Sequence, residues 1–110
     1  MKQYTTPAQT AKLIELGFEK PKSIGGYEPT FVVEYEGVEV SNIVIGENKQ
    51  EPIYAYSIGE LLEVLGYDLY SIVYRGLSWE VNGENTSEIG EELIDALYKM
   101  VIKLKEEGVI

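Results

Sequence analysis

Neither cysteine nor histidine occurs anywhere in the 110 residues. Without cysteine there is no disulfide, no thiolate metal ligand and no thiol nucleophile, a composition that fits a reducing compartment. Without histidine the chain lacks the commonest general base, the commonest metal ligand and every Ser-His or Cys-His arrangement. Positive charge is scarce too: nine Lys and Arg stand against nineteen Asp and Glu, for a net charge of −10. Such a surface repels phosphate backbones and anionic lipid, so neither direct nucleic-acid binding nor membrane binding is expected. No apolar run approaches the roughly 18–20 residues of a membrane span, and the opening MKQYTTPAQTAKL has no continuous apolar segment of a secretory signal. The expected location is cytoplasmic.

What is present is the composition of a globular protein, 45% hydrophobic and 25% charged, at a length suited to one core. A single domain spanning 1–110 is the reading. Thr6-Pro7-Ala8-Gln9 has a hydroxyl at the N-cap, proline at the first helical position and glutamine at the third, a capping box that predicts a short helix ending at Gly17, with Phe18 packed back on its last turn. Ser57-Ile58-Gly59-Glu60 is a second capping box, with Tyr56 and Leu61 in the spacing of a hydrophobic staple, and predicts a helix over Ile58–Leu65. LIELGF and LEVLGY end both helices with the same apolar turn, glycine and aromatic, a pattern that the need for a helix stop selects without an internal repeat.

Between the helices, Glu19 to Pro29 reads as a Gly/Pro/Lys-rich loop, with Gly25-Gly26 a flexible turn rather than a phosphate cradle. Phe31, Val33 and Tyr35 alternate with Val32, Glu34 and Glu36 as in a half-buried strand, Gly37 is a turn, and Val38 to Ile45 a second strand. The polar stretch Gly46 to Pro52 reads as a further turn. Leu69–Arg75 and Leu77–Val81 form another strand pair around Gly76, and NGENTSE leads into a final helix with Asn85, Thr86 or Ser87 as cap. The order α-β-β-α-β-β-α gives the α+β class: an antiparallel sheet packed against a long C-terminal helix, because each hairpin is too short for a parallel crossover. Phe31, Val33, Tyr35, Val38, Val40, Ile72, Tyr74, Leu77, Trp79 and Val81 are the expected sheet surface.

That helix, predicted over Ser87–Glu107, carries Ile89, Leu93, Leu97, Met100, Val101 and Leu104 at steps of three and four, one face that must be buried. Its first turns gather Glu88, Glu91, Glu92 and Asp95 and its last Lys99, Lys103 and Lys105, which complements the helix dipole and sets up an Asp95–Lys99 pair. Glu91, Glu92, Asp95 and nearby Tyr98 make the most acidic patch and the expected interaction surface, with Tyr98 and Ile102 off the main stripe. Eight of the nine tyrosines (27, 35, 54, 56, 67, 70, 74, 98) with Trp79 are more aromatic surface than so small a core hides easily, although half-burial with the hydroxyl in water is the ordinary state of tyrosine.

Catalytic chemistry finds little footing. Glu34, Glu36 and Glu39 surround a presumed turn and read as solvated; Asn82, Gly83, Glu84 and Asn85 lack the spacing of a calcium loop. No catalytic residue, metal ligand or cofactor site is identified. The stretches TPAQTAKLIELGFEKP, YAYSIGELLEVLG and ELIDALYKMVIKLKEEG resemble those of a group of small proteins of unknown function encoded by gut bacteria, often within prophages or other mobile elements. The resemblance implies a mobile-element setting and a cytoplasmic location; it supplies no functional residue. The expectation is a non-catalytic module that binds a protein partner or itself, with no small-molecule ligand indicated. The alternatives are an acidic DNA-mimic decoy of a host DNA-binding protein, and an enzyme using carboxylates or a divalent cation through Glu34, Glu36 and Glu80.

Overall fold

The computed structural model describes residues 2–36 and 43–110, with side chains described outside 28–50. Within these bounds the order is α1 (Pro7–Glu15), β1 (Ser23–Glu36), β2 (Ile43–Ala55), α2 (Ile58–Leu65) and a 3-10 turn (Gly66–Asp68), then β3 (Ser71–Tyr74), β4 (Trp79–Asn82), β5 (Ser87–Gly90) and α3 (Leu93–Glu106). The class is α+β, and the C-terminal helix packs on antiparallel strands. The strands form two sheets, however: a β1–β2 ribbon and a three-stranded β3-β4-β5 sheet. The expected turn at Gly37, Glu39 and residues 38–42 of the second strand lie outside the described residues.

Both capping boxes form. Thr6 accepts the Gln9 amide N–H at 3.1 Å while the Gln9 side chain accepts the Thr6 amide N–H at 2.9 Å. Ser57 and Glu60 do the same at 3.1 and 3.2 Å. α1 ends as its sequence predicts: the Phe18 N–H bonds the Leu13 carbonyl across Gly17, and Phe18 lies partly buried against the core. The second stop diverges. Tyr67, the counterpart of Phe18, is fully exposed, because Gly66 opens the 3-10 turn that carries the chain away toward β3.

The stretch Ser23–Pro29, predicted as loop, is the first half of β1, and Gly46–Pro52, predicted as turn, is inside β2. The prolines misled. Pro29 pairs with Gln50 and Pro52 with Tyr27 in a ribbon that has only edges, where a missing N–H can fall on the unpaired side. Gly25, at a break in register between Ile24 and Gly26, is no flexible turn: a Cβ there would sit 2.9 Å from Ala55 Cβ and 3.3 Å from Tyr4 Cβ. The N-terminal segment closes over this base, with Thr5 N–H bonded to the Tyr56 carbonyl and the Thr5 hydroxyl shared between Tyr56 N–H and buried Thr10. From there the ribbon helps draw the chain out to 70 × 31 × 16 Å.

Ser87–Gly90, predicted as the first turn of the last helix, is strand β5, paired with β4 from Asn82↔Ser87 to Trp79↔Gly90. Ile89 therefore leaves the helical stripe and is half exposed on the open side of the sheet. The remaining stripe is buried as expected, Ala96 with it, and Ile94 joins it at 0% exposure. This arc is wider than one stripe because α3 lies between two neighbours, β4 and β5 on one side and α2 on the other. The core combines these residues with Leu13, Tyr56, Leu61, Leu65 and Val81. Phe31, Val33 and Tyr35 belong to the ribbon rather than to the sheet under α3, and Leu77, in the two-residue turn with Gly76, is 91% exposed.

Candidate functional site

The four residues of the predicted interaction surface separate. Glu92 is the N-cap of α3, and its carboxylate accepts the Lys2 backbone N–H at 3.1 Å. Asp95 Oδ1 accepts Lys2 Nζ at 3.3 Å and Gln9 Nε2 at 3.0 Å. These two carboxylates clasp the N-terminal segment and α1 onto α3, and only Glu91 stands free and exposed. Tyr98 is half-buried against the core with Ile102, and desolvation pushes its hydroxyl pKa up. The expected Asp95–Lys99 pair is replaced by the clasp on one side and, on the other, by Lys99 Nζ donating to the Ile89 carbonyl at 2.8 Å.

A second polar cluster, which the sequence marked only as a helix cap, centres on Glu60. Beyond closing its capping box, its carboxylate accepts the Lys22 backbone N–H at 3.1 Å and the Ser23 hydroxyl, tying the start of β1 to α2. Beside it Phe18, Lys20, Tyr56 and Glu63 line a shallow hollow of about 340 Å³, where the Tyr56 hydroxyl donates to the Glu19 carbonyl. Partial burial works against the ionised carboxylate, but the bonds from Ser23, Lys22 and Ser57 outweigh it and hold Glu60 below the usual carboxylate range. A carboxylate so saturated is a structural anchor rather than a free acid or base. A lowered folded-state pKa adds stability above the unfolded pKa, and this is lost as pH falls through the folded value. Glu60→Gln should therefore lower stability at neutral pH in urea unfolding, by less than about 1 kcal/mol because the group is solvent-screened, with the gap to wild type closing as pH falls through the lowered folded value. A gap independent of pH would deny the ionised anchor.

The carboxylates proposed for cation or acid–base work are not assembled. Glu80 lies on β4, paired to Arg75 at 2.7 Å, whose hydrogen bond lowers its pKa against the small opposing effect of desolvation. Glu34 and Glu36 belong to the other sheet, opposite Ile45 and Ile43. Asn82 begins the β4–β5 turn, closed by Gly83 N–H to the Thr86 carbonyl at 2.8 Å, and its amide donates to Ser71 Oγ. Among the described residues no three Asp or Glu side chains gather as a metal site.

The surface that the sequence reading underweighted is aromatic. Tyr27, Tyr54, Tyr70 and Tyr74 keep half or slightly more of their surface in water, and Tyr67 all of it. Tyr74 and Ile72 lie on β3, an outer strand of the three-stranded sheet, with Tyr70 just before it and Leu77 in the turn after it. The register explains why. Ile72 sits opposite Val81 and Tyr74 opposite Trp79, so β3 presents these residues on the face that α3 covers. The helix lies over β4 and β5, which buries Val81 completely and leaves Tyr74 59% and Ile72 36% exposed on the margin. Trp79 half fills the gap, its ring 4.7 Å from that of Tyr74. Tyr70, 62% exposed, continues the row where the chain enters β3.

The backbone of this edge is also open. The Arg75 N–H bonds the Ser78 carbonyl at 2.8 Å at the hairpin end. By antiparallel alternation Val73 then faces β4, while the N–H and C=O of Ile72 and Tyr74 face outward. Ser71–Tyr74 holds no charge, proline or bulge of the kinds that usually blunt an edge. The sequence signal was there, three tyrosines between 67 and 74, but periodicity does not tell an outer strand from a central one. Comparison of the chain with protein-family models, with curated proteins and with solved structures finds no match.

Proposed function

We propose that the protein is a non-catalytic interaction module that takes an extended segment of a partner protein along β3. The observation that carries this reading is the coincidence, on one outer strand, of the outward-facing backbone groups of Ile72 and Tyr74 with their exposed side chains, beside the exposed ring of Tyr70, whose N–H bonds the Asn82 carbonyl. Main-chain bonds to a free edge supply affinity, and alternate side chains lying on an aromatic shelf supply selectivity. The −10 net charge favours a segment whose other side carries Lys or Arg. Glu91, exposed at the β5–α3 junction, is then one contributor to that field rather than the contact itself.

The carboxylates of the second half weigh against a DNA-mimic strip. Glu60, Glu80, Glu88 and the Glu92–Asp95 pair sit at four different places in the fold and are each engaged by a Lys, Arg, Ser or backbone partner. Among the described residues no converging carboxylates support an enzyme reading.

The test is selection of linear peptides from a displayed random library on the wild-type protein. Selected peptides should alternate apolar and basic residues, and Tyr70→Ala/Tyr74→Ala should weaken them at least about 30-fold, since truncating two aromatic anchors typically costs this or more. Peptides that bind the double variant as well as wild type would place recognition elsewhere.

A further inference from the structure

The β1–β2 ribbon has two unlike faces, and its register defines them. The pairs Tyr27↔Pro52, Pro29↔Gln50, Phe31↔Asn48, Val33↔Gly46 and Tyr35↔Val44 share one face, and no charged residue is among them. The intervening pairs Glu28↔Glu51, Thr30↔Lys49, Val32↔Glu47, Glu34↔Ile45 and Glu36↔Ile43 share the other, which holds five glutamates and one lysine. At the root of the uncharged face, where side chains are described, Tyr27 is 60% and Tyr54 51% exposed. Among the described residues the ribbon's neighbours are α1, the N-terminal segment and, through Ser23 and Glu60, α2, all at its base. A two-stranded ribbon by itself is marginal in water, and this one has strands of 14 and 13 residues.

We propose that this face is covered by the same face of a second copy, two ribbons stacking into a four-stranded sandwich. Three features of the face favour a second copy over an unrelated occupant. It offers no charge to a basic or acidic partner, and stacking like faces turns both glutamate-bearing faces outward, the arrangement that keeps two −10 chains least repelled. It is also self-complementary: the β1 half carries Tyr27, Phe31, Val33 and Tyr35, while the β2 half is leaner, with Gly46 and Asn48. A two-fold axis along the ribbon sets the full half of each copy over the lean half of the other. Finally, the face is long. It runs through five successive same-side pairs, from Tyr27↔Pro52 to Tyr35↔Val44, a length of about 27 Å at roughly 3.4 Å per residue.

Sedimentation of the full chain over about 1–100 μM decides it. Wild type should move from the 12.4 kDa chain to twice that mass as concentration rises. Phe31→Lys/Val33→Lys should raise the dimer dissociation constant at least about 100-fold by placing charge in an apolar interface, and Asn48→Lys, milder and on the same face, at least about 10-fold. Val32→Lys on the glutamate face should leave it within about threefold. Trp79 fluorescence and helical circular dichroism report the fold of each variant, because Trp79 and α3 are outside the ribbon. A 12.4 kDa mass throughout the range would overturn the proposal, as would a dimer indifferent to lysine at 31, 33 and 48. Tyr70→Ala/Tyr74→Ala should keep the wild-type mass, so failure here is separable from failure of the β3 reading.

Discussion

Gly90→Ala should destabilise the protein by about 2–4 kcal/mol, lowering the thermal midpoint by roughly 10 °C or more. The sign is what matters. Were Ser87–Glu107 one continuous helix, replacing its buried glycine with alanine would stabilise it by up to about 1 kcal/mol, because glycine costs a helix that much in backbone freedom. In the structure Gly90 ends β5 and is buried where the chain doubles back into α3. A Cβ at that position would lie 2.7 Å from the Ala96 nitrogen and 3.0 Å from the Glu92 carbonyl oxygen. Both are backbone atoms, so no side chain can swing aside, and the strand–helix junction itself must shift. Equilibrium urea unfolding followed by circular dichroism distinguishes the two cases; a variant as stable as wild type, or more so, would return residues 87–92 to the helix.

Ile94→Ala should be about as damaging, costing about 3 kcal/mol, whereas Ile89→Ala should stay within about 1 kcal/mol. Helical periodicity alone orders them the other way, since Ile89 is in the stripe with Leu93 and Leu97 and Ile94 is outside it. The structure reverses the order because Ile94 is 0% exposed in the layer where α3 meets its neighbours, and Ile89 is 53% exposed on the open face of β5. Removing three side-chain carbons from a closed site leaves a void its surroundings fill only in part, while on the open face water replaces them. Equal losses for the two variants would contradict the placement of β5.

The candidate surfaces are a consequence of the same geometry. α3 is wide enough to roof two strands of a three-stranded sheet, so Ile72 and Tyr74 on the third remain at the margin. The carboxylates of Glu92 and Asp95, which charge alone made the most conspicuous patch, are held by Lys2 and Gln9 from the other end of the chain. Charge counting registers acids and cannot register that a partner some ninety residues away has already engaged them.

Features enforced by neighbours in sequence were therefore readable from the residues themselves. Thr6 with Gln9 and Ser57 with Glu60 announce helix starts because capping is completed within four residues; Gly17 with Phe18 announces a stop, and Gly76 a turn, for the same reason. The α+β class followed from these and from the alternation of Ile72, Tyr74, Trp79 and Val81. What only the tertiary structure decided is whatever depends on distant pairing: that Pro29 and Pro52 sit within strands, that Ser87–Gly90 leaves the helix to pair with Trp79–Asn82, that the strands divide into two sheets, and that β3 is an outer strand beyond the reach of α3. A segment of four residues has too little period to select strand over helix, and its choice falls to the hydrogen bonds a partner strand offers. Which aromatics stay in water is fixed still later, by how far one helix reaches across the sheet.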